Sequence, residues 1–225
     1  MIPWELLDSA QVPESGEEIT LYRRGEEFSI RVDGAELMNS RAHGSEEALA
    51  EMACKRIAKR PSARVLIGGL GLGYTAAAAL KQLGANAEVL VGEIVPAVEE
   101  WNRKFFPHLA GYPLRDKRTT VIVDDVARII RKAHEAYDAV MLDVDNGPEG
   151  MSKKGNEWLY TEAGIDAIFR SLRPEGVFAL WSVASNKAYT RRLRKAGFTV
   201  EEVNVRGRGS GKGAHHTIWL ALRNN

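Results

Sequence analysis

From Arg64 onward, short apolar runs alternate with stretches whose apolar positions recur at helical spacing. The runs predict strands over 64–67, 88–91, 120–123, 139–142, 177–181, 199–205 and 217–222. The periodic stretches between them predict helices over 74–83, 96–105, 126–136, 161–172 and 187–196. Pro96 suits a first helical position, and Gly84 and Gly197 suit helix stops. Val65-Leu66-Ile67 and Ala139-Val140-Met141-Leu142 contain no polar residue, which predicts strands buried on both faces, as in a parallel sheet. This alternation defines an α/β chain with a doubly wound, Rossmann-like, seven-stranded and mostly parallel sheet. The last two strands have no helix between them. They are expected to pair through a loop over 206–215, which makes the last strand antiparallel.

The first sixty residues follow another pattern. Residues 18–32 read as two strands around Arg24-Gly25-Glu26, a small β-hairpin, and Asp33-Gly34 marks a further turn. Ser45 is placed to cap a helix that runs to Pro61. Glu46 and Glu47 stand in its first turn and Lys55, Arg56, Lys59 and Arg60 near its end, the order that suits the helix dipole. Leu49, Met52, Ala53 and Ile57 share one of its faces. An N-terminal hairpin and helix segment over 1–60 is thus expected to precede a Rossmann-like domain over 61–225.

Composition narrows the class. In 225 residues, 44% are hydrophobic and 27% charged, which excludes collagen-like, mucin-like and wholly disordered chains. No apolar run approaches the roughly 20 residues a membrane helix needs. Residues 1–18 are acidic, with no basic stretch followed by an apolar one, so no signal peptide is expected. Cys54 is the one cysteine, which forbids an internal disulfide framework and a thiolate zinc cluster. A soluble, cytoplasmic protein is expected. The net charge is +1, but residues 187–225 hold nine bases against two acids. That asymmetry reads either as a polyanion site or as a solvated face balanced elsewhere in the fold.

The strongest chemical signal is residues 67–80, IGGLGLGYTAAAAL, where Gly69, Gly71 and Gly73 follow a strand and open a helix. Glycine permits a tight turn and close backbone approach, and a helix N-terminus offers free N–H groups to a ligand. Glu93 follows the second strand, 20 residues beyond Gly73, where a carboxylate can accept from both ribose hydroxyls of a nucleotide. Asp124-Asp125 closes the third strand and reads equally as an acceptor for an adenine amino group or as a helix N-cap. Asp143, Asp145 and Asn146 leave the fourth strand over the crevice where open α/β sheets bind ligands. An acid there can hold an amine cation or take its proton, and the plain alternative is a loop that caps and solvates. Trp181, at the end of the fifth strand, is core or a pocket wall. Trp101, Phe105 and Phe106 read as core or interface. His215-His216 lacks metal-ligand spacing, and Ser182 and Ser185 lack a nucleophile-elbow frame.

In their order and spacing these segments resemble the spermidine synthase superfamily, the aminopropyltransferase branch of the class I S-adenosylmethionine-dependent methyltransferase folds. The matching residues are IGGLGLG (67–73), VGEIVPAVEEWNRKFFP (91–107), VIVDDVARII (121–130), YDAVMLDVDNGPEG (137–150) and LYTEAGIDAIFRSLRPEGVFALW (159–181). RVDGAELMNS (31–40) is similar to the short hairpin that precedes the nucleotide domain in that family, so the resemblance covers about residues 28–181. It implies that Gly69, Gly71, Gly73, Glu93 and Asp125 hold the donor, with Glu93 on ribose and Asp125 on adenine. It also implies that Asp143 deprotonates the attacking amine, with Asp145 beside it and Asn146 and Trp181 toward the substrate.

Two departures from the family pattern bear on the reaction. Synthases of the family usually read GGGDGG in the first loop, where Leu70 and Gly71 stand here in place of the third glycine and the acid that contacts the donor amine. Synthases also carry a second Asp in a run like DSSDP, where this chain has Asn146. The reading these features favour is methyl transfer from S-adenosylmethionine to a small amine or other nucleophile. Two alternatives stand: aminopropyl transfer from decarboxylated S-adenosylmethionine in polyamine biosynthesis, and a non-catalytic nucleotide-fold or RNA-docking module. The expected partner is a small-molecule acceptor, with no membrane. Nucleic acid is less favoured, and a homodimer is left open.

Overall fold

The computed structural model describes residues 2–13, 15–144, 147–148, 156–208 and 212–224. The N-terminal part is an antiparallel meander of β1 (Glu5–Gln11), β2 (Glu18–Arg24), β3 (Glu27–Val32) and β4 (Ala35–Asn39), adjacent in that order. The expected hairpin is β2 and β3, with Arg24 opposite Glu27. Asp33 and Gly34 turn the chain with φ of 48° and 80°, the doubly left-handed turn that matches the twist of paired strands. β4 pairs with β3 across that turn, forming the short hairpin expected over 31–40, and β1 lies beyond the sequence expectation. Both are outer strands with mostly exposed residues, so no apolar alternation marks them.

Helix α1 (Gly44–Arg56) is capped by the chain at His43, not by Ser45. Ser45 is buried inside the first turn, and its hydroxyl donates to Glu46 Oε2 at 2.6 Å. The helix also stops earlier than the charge pattern implies, with the Ile57 amide donating to the Cys54 carbonyl.

The second sheet comprises β5 (Arg64–Gly68), β6 (Glu88–Glu93), β7 (Thr119–Val123), β8 (Tyr137–Leu142), β9 (Leu172–Ser182), β10 (Phe198–Arg208) and β11 (Lys212–Arg223). Its strand order is β10-β11-β9-β8-β5-β6-β7, with β11 antiparallel to both its neighbours and β5 to β9 parallel. The intervening helices are α2 (Tyr74–Gln82), α3 (Pro96–Lys104), α4 (Val126–Lys132), α5 (Glu162–Ser171) and α6 (Lys187–Lys195). The expected fold is the observed one. The 206–215 loop is not: Arg206 pairs with His215 and Arg208 with Lys212, across a register shift at Gly207. Ladder pairing thus holds residues 206–208 and 212–215 in strands where composition alone suggests a loop.

Every residue of β8 is buried, as its unbroken apolar run requires. One face of the large sheet packs with α1 and the N-terminal meander in a single cluster that includes Leu21, Ile30, Leu49, Ile67, Val91 and Trp101. The other face packs Leu66, Val140, Phe178, Ile165, Ile168 and Trp219. Trp101 Nε1 donates to Asp8 Oδ2 at 2.9 Å, tying α3 to β1. At the opposite end of β8, Asp138 is 1% exposed and accepts from the guanidinium groups of Arg60 and Arg173 and from the Arg64 amide. No helix among the described residues is long and apolar enough to cross a membrane.

Candidate active site

The chain leaves β5 toward β6 and β7 on one side, then returns to place β8 and β9 on the other. The C-terminal end of β5 is therefore the switch point where open parallel sheets leave a crevice. The loops around it are tied together. Gly69 donates to the Gly92 carbonyl at 2.8 Å, and Asp143 donates to the Gly68 carbonyl at 3.0 Å. Gly69, Gly71 and Gly73 all have positive φ, at 89°, 52° and 84°. At Gly69 a Cβ would lie 2.4 Å from the Asp143 carbonyl oxygen, so the loop approaches β8 as only glycine allows. Gly73 starts α2 in the left-handed conformation.

Glu93 ends β6 at 7% exposure. Its Oε2 accepts from the Leu70 amide and its Oε1 from the Val95 amide, both at 2.9 Å. Burial pushes its carboxyl above the usual range, against backbone N–H groups that favour the anion. Each oxygen keeps a further lone pair that can accept from a ligand hydroxyl. Asp125 caps α4 by accepting from the Ala127 amide at 2.8 Å, and the same half-buried side chain borders the crevice. The capping alternative is observed, and it leaves the acid at the position a ligand acceptor requires. Asp143 follows β8 half-buried, and its Oδ2 accepts from the Thr75 hydroxyl at 3.1 Å.

Two adjoining cavities open here. The first borders Gly69, Gly71, Glu93, Asp125, Asp143 and, from the N-terminal part, Val12, Ile19 and Leu37. The second borders Glu36, Glu46, Tyr74, Thr75, Trp181 and His216. They share Leu37, Met38, Gly71, Asp143 and Val144, so they adjoin across a common wall that includes Asp143, as a two-part chamber. A larger cleft of about 760 Å³ lies between α2 and residues 108–118 and holds none of the crevice acids. Trp181 is a pocket wall: it is half-buried and its ring lies 4.7 Å from that of His216. Burial lowers the pKa of His216, and His215 adds to the effect. Asp145 and Asn146 lie outside the described residues.

Sequence reasoning brought together Gly69, Gly71, Glu93, Asp125, Asp143 and Trp181, and it missed Thr75, Met38, Glu46 and His216. A threonine between the glycine loop and the alanine run is the one visible sign of Thr75. Glu46 reads from sequence only as a helix-dipole acid.

A switch-point crevice with a left-handed glycine loop and an acid closing the second strand defines a class I S-adenosylmethionine-dependent fold. The family model for the spermine/spermidine synthase domain matches residues 43–203, so the chain belongs to the spermine/spermidine synthase family, a family of transferases. It is 34% identical over 115 residues to putrescine N-methyltransferase 2 of Nicotiana attenuata, covering 51% of this chain and 29% of that one. It is 31% identical over 170 residues to the polyamine aminopropyltransferase of Thermoplasma volcanium, covering 76% of this chain and 59% of that one. The chain thus spans less than two thirds of the length of either relative. A crystal structure of spermidine synthase in complex with the transition-state analogue AdoDATO superposes with a TM-score of 0.73 at 19% identity, over 97% of this chain and 72% of that one. Spermidine synthase from Thermotoga maritima superposes with a TM-score of 0.72 at 19% identity, over 97% of this chain and 73% of that one. At that identity the two structures bear on the fold alone.

Proposed function

We propose that the protein is an S-adenosyl-donor-dependent transferase that moves an alkyl group, methyl first of all, to a small amine. The carrying observation is that Asp143 stands in the wall shared by two adjoining cavities, one of them bordered by Glu93, the glycine loop and Asp125. The first cavity suits an adenosyl donor because the glycine loop, through Gly69 and Gly71, borders it beside Glu93 and Asp125. Glu93 accepts from ribose hydroxyls, and Asp125 accepts from the adenine amine with the lone pairs its cap leaves over. A sulfonium donor supplies an electrophilic carbon.

Asp143 holds the incoming ammonium and takes a proton from its nitrogen, which frees the lone pair that attacks. Thr75 orients that carboxylate through its 3.1 Å hydrogen bond. The N-terminal meander contributes Leu37 and Met38 to the wall of both cavities. Methyl transfer is favoured because position 71, where the family's first loop carries an acid for the donor amine, is glycine. The space beside it is taken by Met38, whose Sδ lies 2.8 Å from where a Cβ would be. Aminopropyl transfer is the second reading, supported by the similarity to the Thermoplasma volcanium aminopropyltransferase across 76% of the chain. Side-by-side assays with S-adenosylmethionine and its decarboxylated form, against an amine panel and with Asp143→Asn as control, test the proposal. Faster transfer from S-adenosylmethionine, lost in Asp143→Asn, is expected. Rapid spermidine formation from the decarboxylated donor and putrescine selects the second reading, and no transfer from either donor rejects both.

A further inference from the structure

The second cavity holds a carboxylate that no described Lys or Arg neutralises. Glu46, in the first turn of α1, is half-buried and borders that cavity. Its hydrogen-bond partner is the Ser45 hydroxyl at 2.6 Å, and among the described residues no Lys or Arg forms an ion pair with it. His43 lies near enough to favour the Glu46 anion through space, but its Nδ1 pairs with Glu47 Oε1 at 3.4 Å. Burial raises the pKa of Glu46 more than the Ser45 hydroxyl lowers it. An anion withdrawn from water against a neutral partner is costly, and a cation entering the cavity relieves that cost.

The other lining groups sharpen this. Leu37, Met38, Ala42 and Leu72 give the same cavity an apolar stretch, and Asp143 stands at its shared wall. Glu36 also borders the cavity but is exposed and already accepts from Ser29 Oγ at 2.9 Å and Asn39 Nδ2 at 2.7 Å. Two acids with apolar lining complement a chain that carries a positive charge at each end.

We infer that Glu46 is a specificity-determining residue that holds the remote ammonium of a dicationic acceptor while Asp143 receives the reacting amine. The inference rests on the transferase reading for the part played by Asp143. It answers a difficulty raised by the sequence: Asn146 is neutral and cannot balance a second cation, whereas α1 supplies a carboxylate from another part of the chain.

The experiment is equilibrium calorimetry on the full chain saturated with methylthioadenosine, titrated with putrescine, n-butylamine or aminobutanol. Aminobutanol keeps the length of putrescine and loses its remote charge. The wild type is expected to prefer putrescine over both. Glu46→Gln should weaken putrescine by about ten- to a hundredfold, the scale of one charge-assisted hydrogen bond, and leave n-butylamine within about twofold. Glu51→Gln, at an exposed position of the same helix, should leave the preference intact. Unchanged putrescine affinity in a Glu46→Gln protein that still binds methylthioadenosine overturns the inference. Equal affinity of the wild type for putrescine and aminobutanol overturns it without any variant. A Glu46-dependent preference with no alkyl transfer from either donor upholds the inference and removes the transferase reading; transfer that uses monoamines and diamines alike does the reverse.

Discussion

The Leu70 amide donates to Glu93 Oε2 at 2.9 Å, so the acid that ends β6 fastens the glycine loop that follows β5. The other oxygen fastens the Val95 amide where α3 begins. Glu93 is therefore a clamp on the loop before any ligand arrives. Glu93→Ala leaves two N–H groups without their acceptor. It should lower affinity for methylthioadenosine by about 1.5–3 kcal/mol, read by calorimetry on a folded variant.

The same residue should leave a signature in stability against pH. Its folded pKa is raised by burial, so the folded state binds the proton more tightly than the unfolded chain does. The contribution of Glu93 is fully present below the unfolded carboxylate value and is lost as pH rises through the folded one. Denaturant titrations of wild type and Glu93→Gln across the acid range should show the wild-type advantage shrinking as pH rises. An advantage that grows with pH contradicts the burial-dominated assignment.

Thr75 donates to Asp143 from the wall of the second cavity. Thr75→Val removes the hydroxyl and keeps the shape, so kcat/KM should fall about tenfold, the worth of one hydrogen bond. The bond favours the carboxylate over the acid, so its loss should move the acid limb of the rate profile to higher pH. Thr75→Ser should restore both, and a fall in rate with no movement of that limb would assign Thr75 to packing alone.

Gly69→Ala places a Cβ 2.4 Å from the Asp143 carbonyl oxygen at a φ of 89°. Strain of about 1–3 kcal/mol, or a displaced loop, should follow. Thermal denaturation reads the first outcome, and loss of methylthioadenosine binding reads the second.

Asp138→Ala removes the shared acceptor of Arg60, Arg173 and the Arg64 amide at a site 1% exposed. Breaking a buried pair of this kind costs about 3–5 kcal/mol, measurable by urea unfolding. Catalysis should survive in the folded fraction, because Asp138 and Asp143 lie at opposite ends of β8.

What the sequence revealed depends on how local the cause is. The strands around Val65-Leu66-Ile67 and Ala139-Leu142 are legible because burial on both faces writes itself as an unbroken apolar run. β1 is illegible for the converse reason: an exposed outer strand is held by backbone pairing, which any residue supplies. Gly69, Glu93 and Asp143 follow directly on strand ends, so counting along the chain places them at one sheet edge. Thr75 meets Asp143 across 68 positions. Glu46 reaches the chamber only because α1 packs beside α2, and neither spacing nor composition encodes that approach. Residues 206–208 and 212–215 mislead because the composition around them suggests a loop, whereas backbone pairing between β10 and β11 holds them in strands.

Strand β4 places Leu37 and Met38 in the wall of both cavities, and Met38 fills the space beside Gly71, whereas Ala42, Ser45 and Glu46 at the start of α1 border the second cavity alone. If the transferase reading holds, what the protein takes from and what it gives to meet at β4 but part company at α1. Grafting the 42–46 stretch of a relative onto this sheet should exchange the acceptor preference while the donor preference stays behind, so the start of α1 is the exchangeable part from which a new pairing of donor and acceptor can be assembled.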